Sequence, residues 1–339
     1  MSISYYLYEE DPPQERLSNS KKDDLIWKQG YFSFGTQERI ANITAIKFIT
    51  PDIVVVAHRA VAKLYLVRVE DSLCEIIDTL ILNIKNKYYH PDGMDLYKNK
   101  LYITTFNSCI PIVEIKDLNK LIFHSVFETK LGVPYHGIYI NNNGMFLGGC
   151  APSNKTKSET SIDYFENPSV PHKKVRFNTR FNRRIKGIDL IDNNNMIVGS
   201  DDKRDGFRDI FNSYIHTYKI DYKNQKLNHV DDFKILNAQI DGIKLSASKN
   251  RWYATVHYAD DKTGYIVFGS VNTKLNIQLL SKFPCDNFPH GLDIYKGLIG
   301  FTCYGSSSFS IGREKEMLEV NKGEKIKPDI FKFINNKFF

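Results

Sequence analysis

The sequence predicts an all-β fold, a six-bladed β-propeller whose ring is closed by an N-terminal strand. The first reason is a five-residue phrase that occurs six times: a variable polar residue, Gly, an apolar residue, a variable residue, an apolar residue. Its copies are Thr44-Ala45-Ile46-Lys47-Phe48 (worn, with Ala for Gly), Asp92-Gly93-Met94-Asp95-Leu96, His136-Gly137-Ile138-Tyr139-Ile140, Lys186-Gly187-Ile188-Asp189-Leu190, Asp241-Gly242-Ile243-Lys244-Leu245 and His290-Gly291-Leu292-Asp293-Ile294. Successive copies lie 48, 44, 50, 55 and 49 residues apart, and a period of about 40–50 residues with strand-like content marks propeller blades. The second reason is the alternation of apolar residues, which puts one face of a short strand into a core. The third is composition: 42% hydrophobic and 13% aromatic residues suit a large β-rich core, and no convincing helix lies between the copies.

In chain order, residues 1–24 are polar, carry Pro12-Pro13 and read as an irregular lead-in. The segment that follows contains strand text around 31–34 but has no blade of its own. It is expected to become the outer strand of the last blade and so remove an open sheet edge. Blade one is expected over 44–48, 53–57, 63–69 and 75–82, and blade two over 93–96, 101–105, 110–115 and 121–127. Tight turns at Lys98-Asn99 and Asn141-Asn142-Asn143-Gly144 join first and second strands, as hairpin chemistry asks. Blade three is interrupted by a Pro-, Ser- and Lys-rich loop over 151–159. The basic stretch Lys173, Lys174, Arg176, Arg180, Arg183, Arg184 and Lys186 interleaves with apolar residues and reads as an outer strand with a solvated face, or as an anion-binding edge. Blade four carries a charged loop from Asp201 to Gly206 that lacks the spacing of a calcium-binding EF-hand. Blades five and six include 252–257 and 265–271, then 290–294, 298–304 and 309–313. One propeller domain over 25–318 is followed by a basic, aromatic tail over 319–339.

The net charge of +7 is modest for this length, and no Lys/Arg run gives a strong nucleic-acid signal. Five Cys without C-x-x-C spacing read as reduced thiols; the opening residues lack the basic start and long apolar run expected of a signal peptide, and no apolar run reaches membrane-spanning length. A soluble, cytoplasmic protein acting on a small molecule is expected, with no membrane partner.

The polar residue that opens each phrase should enter the innermost strand at the rim of the central channel. The Gly after it allows either a turn conformation or a close backbone approach. Six copies place Thr44, Asp92, His136, Lys186, Asp241 and His290 in one ring, with His136 facing His290, Asp92 facing Asp241 and Lys186 opposite Thr44, clear of the His–His axis. Second strands return to the same rim, which brings His58 toward Thr44 and His257 toward Asp241; His90 stands two residues before Asp92. Imidazoles and carboxylates converging from separate strands make a metal site or an acid–base pair. A bland alternative is that they are ordinary polar turn residues, but turns favour Asn, Asp, Ser and Gly over His.

His90-Pro91-Asp92-Gly93-Met94-Asp95 with Lys100-Leu101-Tyr102-Ile103 resembles a stretch of the gluconolactonase and regucalcin family. There the Asp of the phrase ligates the catalytic metal. Pro289-His290-Gly291-Leu292 and Tyr135-His136-Gly137-Ile138 are similar to the P-H-G-I phrase of paraoxonases and the P-H-G-L phrases of peptidylglycine amidating lyases, whose His residues serve catalysis or hold zinc. Val56-Ala57-His58-Arg59 looks like the His-Arg pair in the first blade of that lyase. These resemblances imply a metal-assisted lactonase-like or lyase-like reaction. His136, His290, Asp92, Asp241 and His90 are the candidate ligands of one divalent metal ion, with zinc or another transition metal favoured and calcium allowed. His58 and His257 are candidate acid–base groups, and Lys186 and Arg59 candidate contacts to an anionic substrate. Two other readings are a metal-free lyase or cyclase that uses the His and Asp residues directly, and a non-catalytic propeller that binds a peptide or sugar.

Overall fold

The computed structural model describes residues 3–8, 28–33, 43–69, 74–105, 108–129, 134–149, 161–166, 174–177, 184–202, 212–258, 263–286, 288–305 and 308–314. The loops at 151–159 and 203–206 and the tail at 319–339 lie outside the described residues. So do Lys173, Arg180, Arg183 and Phe34.

Six antiparallel sheets form the blades. Blade one is Ile43–Phe48, Ile53–His58, Lys63–Val69 and Cys74–Ile81. Blade two is Pro91–Tyr97, Lys100–Thr105, Cys109–Lys116 and Lys120–Glu128. Blade three is Tyr135–Asn141, Gly144–Gly149, Ile162–Phe165 and Lys174–Phe177. Blade four is Arg184–Asp192, Asn195–Asp201, Ser213–Asp221 and Lys226–Ile235. Blade five is Ala238–Leu245, Arg251–Tyr258, Gly264–Val271 and Ile277–Cys285. In each, the repeated phrase opens the innermost strand. The basic stretch divides: Lys174–Phe177 is an outer strand, whereas Arg184 and Lys186 belong to the inner strand of blade four.

Blade six takes Pro289–Tyr295, Leu298–Cys303 and Ser308–Arg313 from the end of the chain. Its fourth strand is Lys28–Ser33, antiparallel to Ser308–Arg313, so the N-terminal segment closes the ring. Within the segment expected to be an irregular lead-in, Ile3–Tyr8 forms a fifth strand, parallel to Lys28–Ser33. The alternation in Ile3-Ser4-Tyr5-Tyr6-Leu7-Tyr8 is strand-like, and pairing satisfies backbone groups that an edge would leave open.

The core lies between blades. The cluster of Ile43, Ile46, Phe48, Val54, Val56, Tyr65, Phe309 and Ile311 joins blade one to blade six, and equivalent clusters join the other neighbours. Apolar residues of both sheet faces are thus buried, which explains strands as uniformly apolar as Ile53-Val54-Val55-Val56-Ala57.

All six inner strands are bulged at the ring residue. Ile43 pairs with His58 and Ala45 with Ala57, so Thr44 is the extra residue. The same register shift falls at Asp92, His136, Lys186, Asp241 and His290. A bulge re-aims a side chain and bends the strand, and here it turns six polar side chains toward the channel. The glycines that follow serve close approach, because none of them adopts a left-handed conformation. A Cβ on Gly93 would lie 2.4 Å from the carbonyl oxygen of His136, and one on Gly291 2.5 Å from that of Thr44.

Candidate metal centre at the channel mouth

His136 and His290 open equivalent strands three blades apart, and each is fixed in the same way by its neighbours. The His136 carbonyl accepts from Thr104 Oγ1 of blade two at 2.9 Å, and His136 Nδ1 donates to the Lys186 carbonyl of blade four at 2.7 Å. The His290 carbonyl accepts from Thr255 Oγ1 of blade five at 2.6 Å, and His290 Nδ1 donates to the Thr44 carbonyl of blade one at 2.8 Å. A carbonyl can only accept, so both rings carry their proton on Nδ1 and present a bare Nε2 in the neutral form. The two rings stack with centroids 4.9 Å apart.

Both Nε2 atoms converge on two carboxylates. Asp92 Oδ1 is 3.7 Å from each of them, and Asp241 Oδ1 is 3.6 Å from His136 Nε2 and 3.8 Å from His290 Nε2. All four residues are buried. The candidate ligand atoms of Asp92, His136 and His290 lie within 4.8 Å of one another. The expected facing of His136 with His290 is therefore observed.

Lys186 departs from expectation. It does not stand clear of the cluster: Lys186 Nζ sits 2.5 Å from Asp241 Oδ1. A long buried side chain carrying an ammonium takes the nearest carboxylate, and Asp241 is one blade away. Asp241 Oδ2 is also filled, by Gln239 Nε2 at 2.7 Å. The equivalent residue before Asp92 in the ring is Thr44, whose hydroxyl donates to the Pro91 carbonyl instead. Among the described residues, neither Asp92 oxygen has a hydrogen-bond partner, nor has His136 Nε2. The nearest cation to Asp92 is Arg59, with Nη1 at 3.8 Å and its side chain 32% exposed. The two halves of the ring are alike in geometry and differ in how their carboxylates are paired: Asp241 is held by the buried Lys186 at 2.5 Å, Asp92 only by the partly exposed Arg59 at 3.8 Å.

Electrostatics follow from burial. His136 is held well below the usual imidazole range by burial, then by the Lys186 ammonium and His290. Burial also lowers His290, against the pull of Asp241 and Asp92. Burial works against the Asp241 carboxylate, but Lys186, His290 and Arg184 together outweigh it and hold the group below its ordinary value. Both imidazoles are neutral near pH 7, as metal ligands must be. Along the channel a cavity of about 40 Å³ is walled by Thr44, Asp92, His136, Lys186 and Asp241, and by the apolar residue two positions after each ring residue.

The other expected site residues fall outside this cluster. His58 is buried at the end of its strand, its Nδ1 accepts from the Val61 N–H at 3.4 Å, and burial lowers it to about 4. His257 pairs with Gln239 and packs on Phe288, ring centroids 4.5 Å apart. Neither lines the cavity. His90 is not among the converging ligand atoms of Asp92, His136 and His290: its Nδ1 engages the Arg59 carbonyl at 2.8 Å and so fixes the loop that carries Arg59.

Two features were not foreseen. Tyr304 stacks on His290 with centroids 5.6 Å apart, and burial raises its phenol, in a field that includes Arg59, Asp92, Asp241 and Lys186. Arg184 makes a bidentate pair with Asp201 at 2.7 and 2.8 Å. Both Tyr304 and Asp201 stand where a second strand returns to the rim. The rule that located His58 and His257 finds them once it is applied to every residue type.

No protein-family model matches the chain, and no curated protein matches it in sequence. Solved structures share its architecture. Hydrazine synthase of Kuenenia stuttgartiensis aligns with a TM-score of 0.56 and 12% identity, over 86% of this chain and 82% of that one. A protein from Lactobacillus plantarum aligns with a TM-score of 0.51 and 10% identity, over 77% of each chain. The Cps50 (Swd1) β-propeller domain of Myceliophteria thermophila aligns with a TM-score of 0.50 and 11% identity, over 79% and 82%. At these identities the likeness is one of fold. The chain is a six-bladed β-propeller with a buried His/Asp cluster able to hold a metal ion.

Proposed function

We propose that the protein is a metal-dependent hydrolase or lyase that acts on a small anionic substrate at the channel mouth. One observation carries the reading: two buried imidazoles, each committed to a backbone carbonyl through Nδ1, aim Nε2 at a buried carboxylate that has no hydrogen-bond partner among the described residues. Buried polar atoms in folded proteins are mostly satisfied by protein groups, water or an ion, and a cation suits a carboxylate faced by two imidazole lone pairs. Two imidazoles and a carboxylate suit zinc or another transition metal. Zinc bonds of about 2.0–2.1 Å set tetrahedral donors roughly 3.4 Å apart; the 3.7 Å separations here are slightly wider, within reach of small side-chain rotations.

His136, His290 and Asp92 would hold the ion. The Nδ1–carbonyl bonds orient both rings, as outer partners of metal ligands do. Bound there, the ion supplies Lewis acidity and acidifies a water. Around it, three carboxylates (Asp92, Asp201, Asp241) balance three cations (Arg59, Lys186, Arg184) among the described residues. A divalent ion would leave the mouth with two net positive charges, which favours an anionic substrate. Arg59, partly exposed, is the residue to meet it. Tyr304 stays protonated at neutral pH and donates a hydrogen bond or a proton beside His290. The resemblance of the Asp92 and His290 phrases to lactonases and amidating lyases supports the same reaction classes.

The test is metal content on tag-free protein, with refilling by Zn²⁺, Mn²⁺, Ni²⁺ or Co²⁺ after chelation. Metal lost on His136→Ala, on His290→Ala and on Asp92→Asn, with circular dichroism unchanged, is the expected result. A wild type with no metal that those variants remove, before or after refilling, overturns the metal reading. A metal-free lyase using Lys186, Asp241 and the imidazoles would then stand.

A further inference from the structure

We propose that blade four carries a second transition-metal site on its outer strands, made by His216, His229 and Asp232 and separate from the channel. Candidate ligand atoms of the three residues lie within 4.8 Å of one another, and His229 Nε2 is 3.7 Å from Asp232 Oδ1.

A strand defect creates the trio. His229 and Asp232 are three apart, so a regular strand would put them on opposite faces. The register between Ser213–Asp221 and Lys226–Ile235 breaks: His216 pairs with Asp232 and Thr217 with Asp231, but Tyr218 pairs with His229, which leaves Val230 as an extra residue. That bulge brings His229 and Asp232 onto the face that carries His216 and Tyr218.

The surroundings position the donors. Ser200 Oγ, buried on the neighbouring second strand of the blade, lies 2.8 Å from His216 Nε2. With Ser200 accepting from Nε2–H, the His216 lone pair resides on Nδ1, the arrangement that outer partners impose on ligating imidazoles. Tyr214 stacks on His216 at 5.7 Å and Tyr218 meets His229 edge-on at 5.6 Å, which confines both rings. Exposure rises across the trio, from buried His216 through His229 at 17% to Asp232 at 34%. That gradient gives an ion a path from solvent and leaves a coordination position for water. Two imidazoles and one carboxylate select zinc, nickel or copper over magnesium or calcium. An ion there would cross-link the two outermost strands of the blade.

The channel cluster must be silenced to read this site alone, so the experiment uses tag-free, full-length His136→Ala/His290→Ala protein. After chelation it is titrated with Zn²⁺ against a chromophoric competitor and with Co²⁺ for ligand-field bands. One remaining equivalent of tight binding is expected, with a rise in Tm on saturation. His229→Ala and Asp232→Asn, both on partly exposed positions, should each weaken that binding more than about 100-fold, beyond the cost of losing an outer partner. Absence of the equivalent in a folded double variant overturns the site, and so does binding that survives His229→Ala. Either result leaves the channel proposal standing, because the two sites share no residue.

Discussion

At the scale of single residues, burial decides what a histidine can do. His58, His136 and His290 all sit near the rim in sequence logic, and all three are buried. The last two aim Nε2 at carboxylates, whereas His58 spends Nδ1 on its own turn. A signature of this survives into stability. The folded pKa of His58 is lowered from 6.5 to about 4, so the unfolded chain binds its proton first as pH falls. The stability present above pH 6.5 is therefore lost as pH falls toward 4, by about 3 kcal/mol for a shift of this size. His58→Asn keeps an acceptor for the Val61 N–H and removes the titration. Denaturant unfolding of this variant should show a flatter stability profile between pH 6.5 and 4 than wild type; an unchanged slope would assign the acid sensitivity to other groups.

At the scale of the element, the repeated phrase is the signature of a bulged strand packed against its neighbour. The polar residue is the bulge, and the Gly gives the room that the next inner strand requires. Gly93 is the sharpest case, with His136 O at 2.4 Å and Thr104 Oγ1 at 3.0 Å from any added Cβ. Backbone cannot yield cheaply there, and the displaced carbonyl belongs to a candidate ligand. Gly93→Ala should cost roughly 1–3 kcal/mol as overpacking and weaken metal binding by displacing His136. Gly297→Ala, where the added Cβ meets nothing within 4 Å but φ is +80°, is the control: it should destabilise through backbone strain and leave metal affinity unchanged. Equal loss of metal affinity in the two variants would count against the close-approach account.

At the scale of the whole molecule, a second ring holds the propeller together. The variable residue three after each ring residue is Lys47, Asp95, Tyr139, Asp189, Lys244 or Asp293. Asp95 accepts from the Ile140 N–H at 3.0 Å, Asp189 from the Leu245 N–H at 2.8 Å and Asp293 from the Phe48 N–H at 2.9 Å. Three Asp thus clamp alternate seams between blades. Lys47 bridges Asp95 and Asp293 at 2.7 and 2.8 Å, and despite its burial these two carboxylates raise its pKa. The clamp from Asp293 spans the seam between blade six and blade one, where ends distant in sequence meet. Asp293→Ala strips Phe48 N–H of its acceptor and Lys47 of one partner, so a loss on the order of 3–5 kcal/mol is expected by thermal or denaturant unfolding. A loss below 1 kcal/mol would show that water replaces the clamp.

Periodicity by itself determined the architecture. Six phrases at nearly constant spacing name the blade number, the inner strands and the ring order, because a local pattern repeated in sequence must repeat in space when each unit buries its faces against the next. The closing strand was legible for the same reason, as strand text without a blade. The facing of His136 and His290 followed from counting blades. What counting could not supply was the direction of each side chain. Thr44 and Lys47, or Asp92 and Asp95, are an odd number of residues apart and would point to opposite faces of a regular strand; only the bulges turn both rings into the channel. Nor could it show that Lys186 reaches Asp241, that Asp92 has no hydrogen-bond partner among the described residues, or that Val230 drops out of register beside His229. Those outcomes depend on contacts between blades, where a few tenths of an ångström and the competition of one ammonium for two carboxylates decide which groups remain free to bind.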